Sequence, residues 1–220
     1  MLFETEGRPP PNGRAVREAR LHRYSLAVTR IWTWLARIPA DGRRCWHRGL
    51  DWRGVGVIRP CLEIERPSIL KIVNSAAEAY RGVIPAERWH EPYMPSDELD
   101  HELSAGVTFW GYEADGSLVG IMGVQRVRDV ELIRHAYVLP GSQRHGVGGA
   151  LLEHLQRLRT QRMVVGTWAA AEWAIRFYRL HGFQLVAPER TASLLKAYWT
   201  IPDRQIATSV VLADPPFGEP

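Results

Sequence analysis

The chain has 220 residues, 45% hydrophobic and 24% charged, with two cysteines and eight histidines; this suits one α/β-sized domain of ~100–200 residues with an appendage and excludes disordered, collagen-like and all-coiled-coil chains. Cys45 and Cys61 are too few for a disulfide scaffold or a four-thiolate zinc site, and no histidine stands at zinc-ligand spacing from them, so a metal-free protein of the reducing cytoplasm is expected. The formal charge of +4 is uneven: residues 1–57 carry eleven Arg and no Lys against five acids, leaving the remainder at −2, so the inference from basic charge to nucleic acid reaches the first quarter only and no nucleic-acid partner is expected.

Residues 1–56 are expected to form a basic N-terminal extension, partly helical or disordered, ahead of a domain at 57–220. Tyr24, Val28, Ile31, Leu35 and Ile38 recur at spacings of four and three, which lays an apolar stripe along one helix face among five arginines. Arg30 and Arg37 interrupt what could have been an apolar signal core, and no apolar run reaches ~18 residues, so neither an export signal nor a membrane span is expected.

In the domain, Val55–Arg59 reads as a short strand stopped by Pro60. Pro67 and Ser68 open a helix through Tyr80 that ends near Gly82. Ser96, followed by Asp97 and Glu98, reads as the N-cap of a second helix through Leu103. Three strands follow as a meander, Val107–Glu113, Leu118–Val127 and Val130–Val138, with turns at Asp115-Gly116 and Arg128-Asp129. The period then switches: Ala150, Leu151, Leu152, Leu155 and Leu158 recur at helical spacing. A strand at Met163–Trp168, a helix at Ala170–Leu180 and strands at Phe183–Ala187 and Ile206–Leu212 complete a mixed α+β chain.

The most informative segment runs from Ala136 to Leu152: a strand, a turn at Pro140-Gly141, three glycines (Gly146, Gly148, Gly149) and a helix. The first turn of a helix has N–H groups without intrahelical partners and the positive end of its dipole, and glycine lets a phosphate approach without a Cβ in the way. No Lys-Ser/Thr pair follows the glycines, and no third glycine stands three positions after Gly148, so neither the nucleoside-triphosphate loop nor the dinucleotide fingerprint is present.

Gln143-x-x-Gly146-x-Gly148, Val138-x-Pro140 before it, and Phe177-Tyr178-x-x-x-Gly182-Phe183 together resemble the GCN5-related N-acetyltransferase family over roughly residues 57–213. The resemblance implies an α+β fold of mixed αβα layers. Its central sheet would be mostly antiparallel, six- to seven-stranded, with splayed fourth and fifth strands and helices on both faces. It implies acetyl-coenzyme A as co-substrate, with the pyrophosphate on the backbone of Gln143, Arg144, His145, Gly146, Val147, Gly148, Gly149 and Ala150 and the pantetheine beside Tyr137 and Val138. Two departures stand out. His145 replaces a permanent cation by a titratable group, and Ala171 stands where the family often has Asn.

Acetyl transfer to an amine needs a deprotonated amine, a polarised thioester carbonyl and a proton for the leaving thiolate. Tyr178 is the expected acid, since a phenol holds its proton at neutral pH, and the Val138 N–H is the expected donor to the carbonyl. His135 and Glu131, four apart on one strand and so expected on one face, are the candidate bases, with a water chain and no single base as the alternative; a bulge would change which face each takes. Tyr80, Arg81, Trp89, Tyr93 and Trp110 are the candidate acceptor site, an aromatic wall with polar tips. Glu87, Glu91, Asp97 and Glu98 supply negative charge that a cationic amine would favour. The expectation is acetylation of a primary amine on a small molecule by direct attack in a ternary complex, the protein standing alone or as a homodimer. A peptide or protein amine as acceptor, and a non-catalytic acyl-coenzyme A-binding module, are the alternatives.

Overall fold

The computed structural model describes residues 56–218; the expected N-terminal helix, Cys45 and Val55 lie outside the described residues. The elements are β1 (Val57–Pro60), α1 (Arg66–Ala77), α2 (Ser96–Ser104), β2 (Thr108–Ala114), β3 (Ser117–Val127), β4 (Val130–Val138), α3 (Val147–Leu158), β5 (Arg162–Trp168), α4 (Glu172–Leu180), β6 (Gln184–Leu185), α5 (Pro188–Tyr198), α6 (Asp203–Ala207) and β7 (Ser209–Asp214). Among the described residues no helix is long and apolar enough to cross a membrane, and no group of three His, Cys, Asp or Glu is placed to hold a metal ion.

The strands form one sheet in the order β1-β2-β3-β4-β5-β7-β6, every neighbouring pair antiparallel except β4 and β5. Alternation along the strands feeds both faces. Met122, Ile133, Leu151, Leu152, Leu155 and Tyr178 pack on the face that carries α3 and α4. Ile69, Ile72, Val73, Leu99, Phe109 and Ile121 pack on the face that carries α1 and α2. In α3 the buried residues Val147, Leu151, Leu152 and Leu155 repeat at three and four, a stripe matched to the sheet.

Two irregularities position the site. β4 and β5 pair only from Val130↔Arg162 to Ile133↔Val165, although β4 stays paired to β3 as far as Val138 and β5 to β7 as far as Trp168. From Arg134 and Gly166 onward the two strands carry no ladder between them. Within β4, Tyr137 faces Ile121 and Arg134 faces Gly123, so His135 and Ala136 both oppose Met122; His135 has φ +51°. That extra residue is a β-bulge, and it inverts the in-out alternation of everything after it.

Several sequence expectations are corrected. Ser96 is the first residue of α2 rather than its cap: Pro95 holds the cap position, and no side chain caps the helix. The expected strand at 183–187 shrinks to Gln184-Leu185. Ile206 belongs to α6, and the last strand begins at Ser209. α5 was not foreseen.

Candidate functional site

The turn after β4 is a 3-10 helix, Pro140–Ser142, followed by Arg144 at φ +63° and Gly146 at φ +82°. Gly146 caps α3 in the left-handed conformation, which glycine adopts without the cost a Cβ imposes. It has no side chain with which to satisfy the amides ahead of it. The first intrahelical bond is Ala150 N–H to the Gly146 carbonyl at 2.9 Å, so geometry denies the N–H groups of Val147, Gly148 and Gly149 an acceptor inside the helix. The expected contribution of Ala150 is corrected by the same bond: its amide is already used. A Cβ on Gly141 or Gly146 would enter open space, whereas one on Gly149 would lie 2.9 Å from His181 Nε2. The loop is thus open at Gly141 and Gly146 and packed against Phe177 and His181 at Gly148 and Gly149. Gln143 Nε2 donates to the Val138 carbonyl at 3.1 Å and braces the turn against the strand end. Arg144 and His145 are exposed on the same turn.

Four phenols gather where β4 and β5 part. Tyr137 extends from β4 toward the α1–α2 face. Tyr80, at the end of the turn after α1, lies edge-on to Tyr137 (ring centroids 6.5 Å) and parallel to Tyr93 (6.4 Å). Tyr137 of β4 and Trp168 of β5 each ease the ionisation of Tyr93 against the burial that opposes it, and Thr167 of β5 does the same for Tyr80. Tyr178 arrives from α4, 5% exposed, with Phe177 and Phe183 packed edgewise against it, and its charge would be felt at Tyr137 and Tyr80. Burial, with the other phenols adding to it, pushes Tyr80 up to about 12 and raises Tyr178 and Tyr137 further. All hold their protons at neutral pH.

Around this cluster, Trp89 stands 5.5 Å from Tyr93 and is covered by the Arg81 guanidinium at 4.5 Å. Arg81 is itself tied to Glu78 and Glu91. Trp173, unforeseen from the sequence, packs 5.4 Å from Tyr80 and is 45% exposed; its position one residue after the start of α4, on the turn facing the gap, was the available signal. Trp110 does not join them. It lies on the opposite face, 4.8 Å from the His154 ring, and lines a hollow of about 280 Å³ with Glu131 and Leu155. A larger hollow of about 650 Å³, beside Trp199 and Pro202, is formed by α5, α6 and the segment between them rather than by the cluster.

The expected pairing of Glu131 with His135 on one face is overturned by the bulge. Glu131 points toward α3, where it accepts from the Thr160 N–H and hydroxyl. His135 turns to the α2 side, its Nε2 3.1 Å from Glu102 Oε2. Arg134 reaches the other Glu102 oxygen at 2.5 Å. Burial raises the Glu102 carboxyl, but His135 and Arg134 outweigh it and hold the carboxyl below its usual value. Sequence reasoning missed Glu102, whose polar neighbours gave no sign that it is 8% exposed.

Two strands held apart beside a helix start with unspent amides form the architecture of an acyltransferase whose acyl group arrives on a phosphate-bearing thioester. A family profile described as an acetyltransferase (GNAT) domain matches residues 105–185, the stretch that builds the gap and the loop. The matched stretch is an acetyltransferase (GNAT) domain, and the chain is an acetyltransferase using acetyl-coenzyme A. It is 26% identical over 132 residues to the peptidyl-lysine N-acetyltransferase YiaC of Escherichia coli K12, covering 59% of this chain and 84% of that one. The fold is shared with PaiA N-acetyltransferase from Thermoplasma acidophilum, solved with coenzyme A (TM-score 0.56, 15% identity, 72% of this chain and 97% of that one). It is shared also with a GNAT-family acetyltransferase of Staphylococcus aureus Mu50 (0.55, 14%, 72% and 98%).

Proposed function

We propose that residues 57–220 transfer the acetyl group of acetyl-coenzyme A to a primary amine of a small molecule, by direct attack within a ternary complex. The observation that carries this reading is the cluster of Tyr80, Tyr93 and Tyr137 where β4 and β5 part, at the end of the strand that leads into the open start of α3, with Tyr178 buried on α4. The amides of Val147, Gly148 and Gly149, with the turn from Gln143 to Gly146, hold the pyrophosphate. The unladdered edge of β4 at Tyr137 and Val138 receives the pantetheine, and the Val138 N–H polarises the thioester carbonyl. Tyr178, kept protonated by its burial, gives its proton to the departing thiolate. Tyr80, Tyr93, Trp89 and Trp173 supply flat walls for the carbon skeleton of the acceptor, and Arg81 closes one rim.

The likeness to a peptidyl-lysine acetyltransferase favours, as a second reading, a lysine side chain of a peptide as acceptor. Thiol release from acetyl-coenzyme A with tyramine, benzylamine and a lysine peptide separates the two. Faster release with the small amines supports the first reading and faster release with the peptide the second. If calorimetry finds no heat with acetyl-coenzyme A, both fall.

A further inference from the structure

Of the two sequence-derived bases, only His135 keeps a place at the parted strands. Glu131 lies on the other face of the sheet, where it accepts from Thr160. His135 stands two residues beyond Ile133, where the ladder between β4 and β5 stops. The bulge turns it to the face that carries Tyr137, which is two residues and so about 7 Å further along the strand. Phe109 of β2, whose ring is 5.9 Å from that of His135, belongs to the core cluster against which Tyr137 packs. The imidazole is thereby set on the unladdered part of β4, one side-chain position from Tyr137, whose ring meets that of Tyr80.

The ring has one polar neighbour. His135 Nε2 is 3.1 Å from Glu102 Oε2. Both atoms are sealed from solvent and have no other partner among the described residues, and their own contact is not a well-directed hydrogen bond. Buried polar atoms without partners are rare, and the contact between a base and the group that orients it is often loose until charge develops. Arg134 holds the other Glu102 oxygen at 2.5 Å, which fixes the carboxylate and leaves Oε2 to the ring. Nδ1, by contrast, has no hydrogen bond among the described residues and is not sealed. A neutral ring that gives its Nε2–H to Glu102 keeps its lone pair on Nδ1. The backbone is bent to allow this: a φ of +51° at a residue with a Cβ is costly and persists only where the surrounding structure enforces it.

We propose that His135 is the base of the transfer, its Nδ1 removing a proton from the acceptor's ammonium group, and that Glu102 is the positioning residue that holds the ring by its Nε2–H. This rests on the acetyl-transfer reading above. The ammonium N–H bond breaks, its electron pair staying on nitrogen, and the proton moves to Nδ1. The freed lone pair forms the C–N bond as the C–S bond breaks, and Tyr178 protonates the thiolate. The second amine proton, lost from the new amide nitrogen, restores Tyr178, and His135 gives its own proton to solvent. The charged and titratable groups that face the ring are Glu102 and Glu98 of α2, Arg134 beside it and Tyr137 beyond it, while His101 of α2 acts on Glu102. A base whose second nitrogen is held by a carboxylate is a recurring device for fixing tautomer and aim together.

The dependence of the rate on pH separates this role from a structural one. The full chain and its His135→Gln and Glu102→Gln variants are assayed for thiol release with tyramine, benzylamine and a lysine peptide from about pH 6 to 9, with the affinity for acetyl-coenzyme A read by calorimetry. His135→Gln is expected to lower kcat/KM for the best amine ~100-fold near pH 7. That deficit should narrow about ten-fold or more near pH 9, where solution supplies more of the amine already deprotonated. Glu102→Gln removes the anion beside the imidazolium, so it should lower kcat and move the acid limb of the kcat/KM profile to lower pH by about one unit. Acetyl-coenzyme A should bind all three proteins within about two-fold, as a proper fold requires. With the thioester still bound, a His135→Gln variant that shows no deficit, or the same deficit at every pH, overturns the assignment of the base. An acid limb that stays in place in Glu102→Gln overturns the positioning role. Should Glu102→Gln fail to fold, Glu102→Asp, which keeps a charge for Arg134 but withdraws it from Nε2, is read in the same way. A wild type silent toward all three amines with the thioester bound removes the acetyl-transfer reading and this one with it.

Discussion

A phenol enclosed by Phe177, Phe183 and the core of the α3 face keeps its proton more firmly than one in water, because the phenolate would lose its hydration. Tyr178 therefore cannot serve as a base near neutral pH; in the proposed transfer it is the proton donor. Tyr178→Phe keeps the ring and its packing and removes only the donor. We expect kcat to fall ~100-fold with the Kd for acetyl-coenzyme A nearly unchanged, measured by thiol release and calorimetry on one preparation; equal losses in both would assign Tyr178 to binding alone. Tyr178 was legible in the sequence because Phe177-Tyr178 stands at a fixed distance before Gly182. The direction of His135 was not. Alternation put it beside Glu131, and the φ of +51° that undoes the alternation belongs to a non-glycine residue with no glycine or proline nearby to signal a bulge.

The proposed use of the loop needs α3 to start at a set height above the sheet, and Gly120, far from it in sequence, lies directly against that start. A Cβ on Gly120 of β3 would lie 2.6 Å from Val147 Cγ1 and 3.2 Å from Val138 Cγ2. Val147 is the first residue of α3 and Val138 the last of β4, so the helix start and the strand end both pack on this one position. Gly120→Ala must push the helix start outward, since a valine methyl so near the backbone has little room to retreat. Weaker binding of acetyl-coenzyme A, by about ten-fold or more, is expected, with recovery in Gly120→Ala/Val147→Ala; calorimetry on the single and double variants decides it. Among the elements, those with strong periodicity or clear turn residues were readable: the meander, α1, α3 and α4. α5 was not, because Thr191 and Leu195 are its only buried residues and Leu194 and Tyr198 are covered only in part. Pro188 at its first position is the one boundary signal it offers.

For the molecule as a whole, two glutamates one turn apart on α2 act on stability in opposite directions. The Glu102 carboxyl is held below its ordinary value of about 4.5: burial works against it, and His135 and Arg134 more than compensate. The unfolded chain then binds its proton more readily than the folded one, so Glu102 stabilises the fold fully above that ordinary value and ceases to as the pH falls through the folded one. The Glu98 carboxyl is raised by burial, so the sign reverses: its ionised form disfavours the fold near neutral pH, and acid relieves the penalty. Glu102→Gln leaves the Arg134 guanidinium 22% exposed and without its carboxylate, and should destabilise by about 3 kcal/mol at pH 7, with a flatter decline in Tm between neutral pH and acid. Glu98→Gln should raise Tm at pH 7, with the gain vanishing as the pH approaches 4. Thermal unfolding of both variants across that range tests the pair. A Glu98→Gln protein less stable than wild type at pH 7 would mean that the carboxylate is held there by the fold itself, against the cost of its burial.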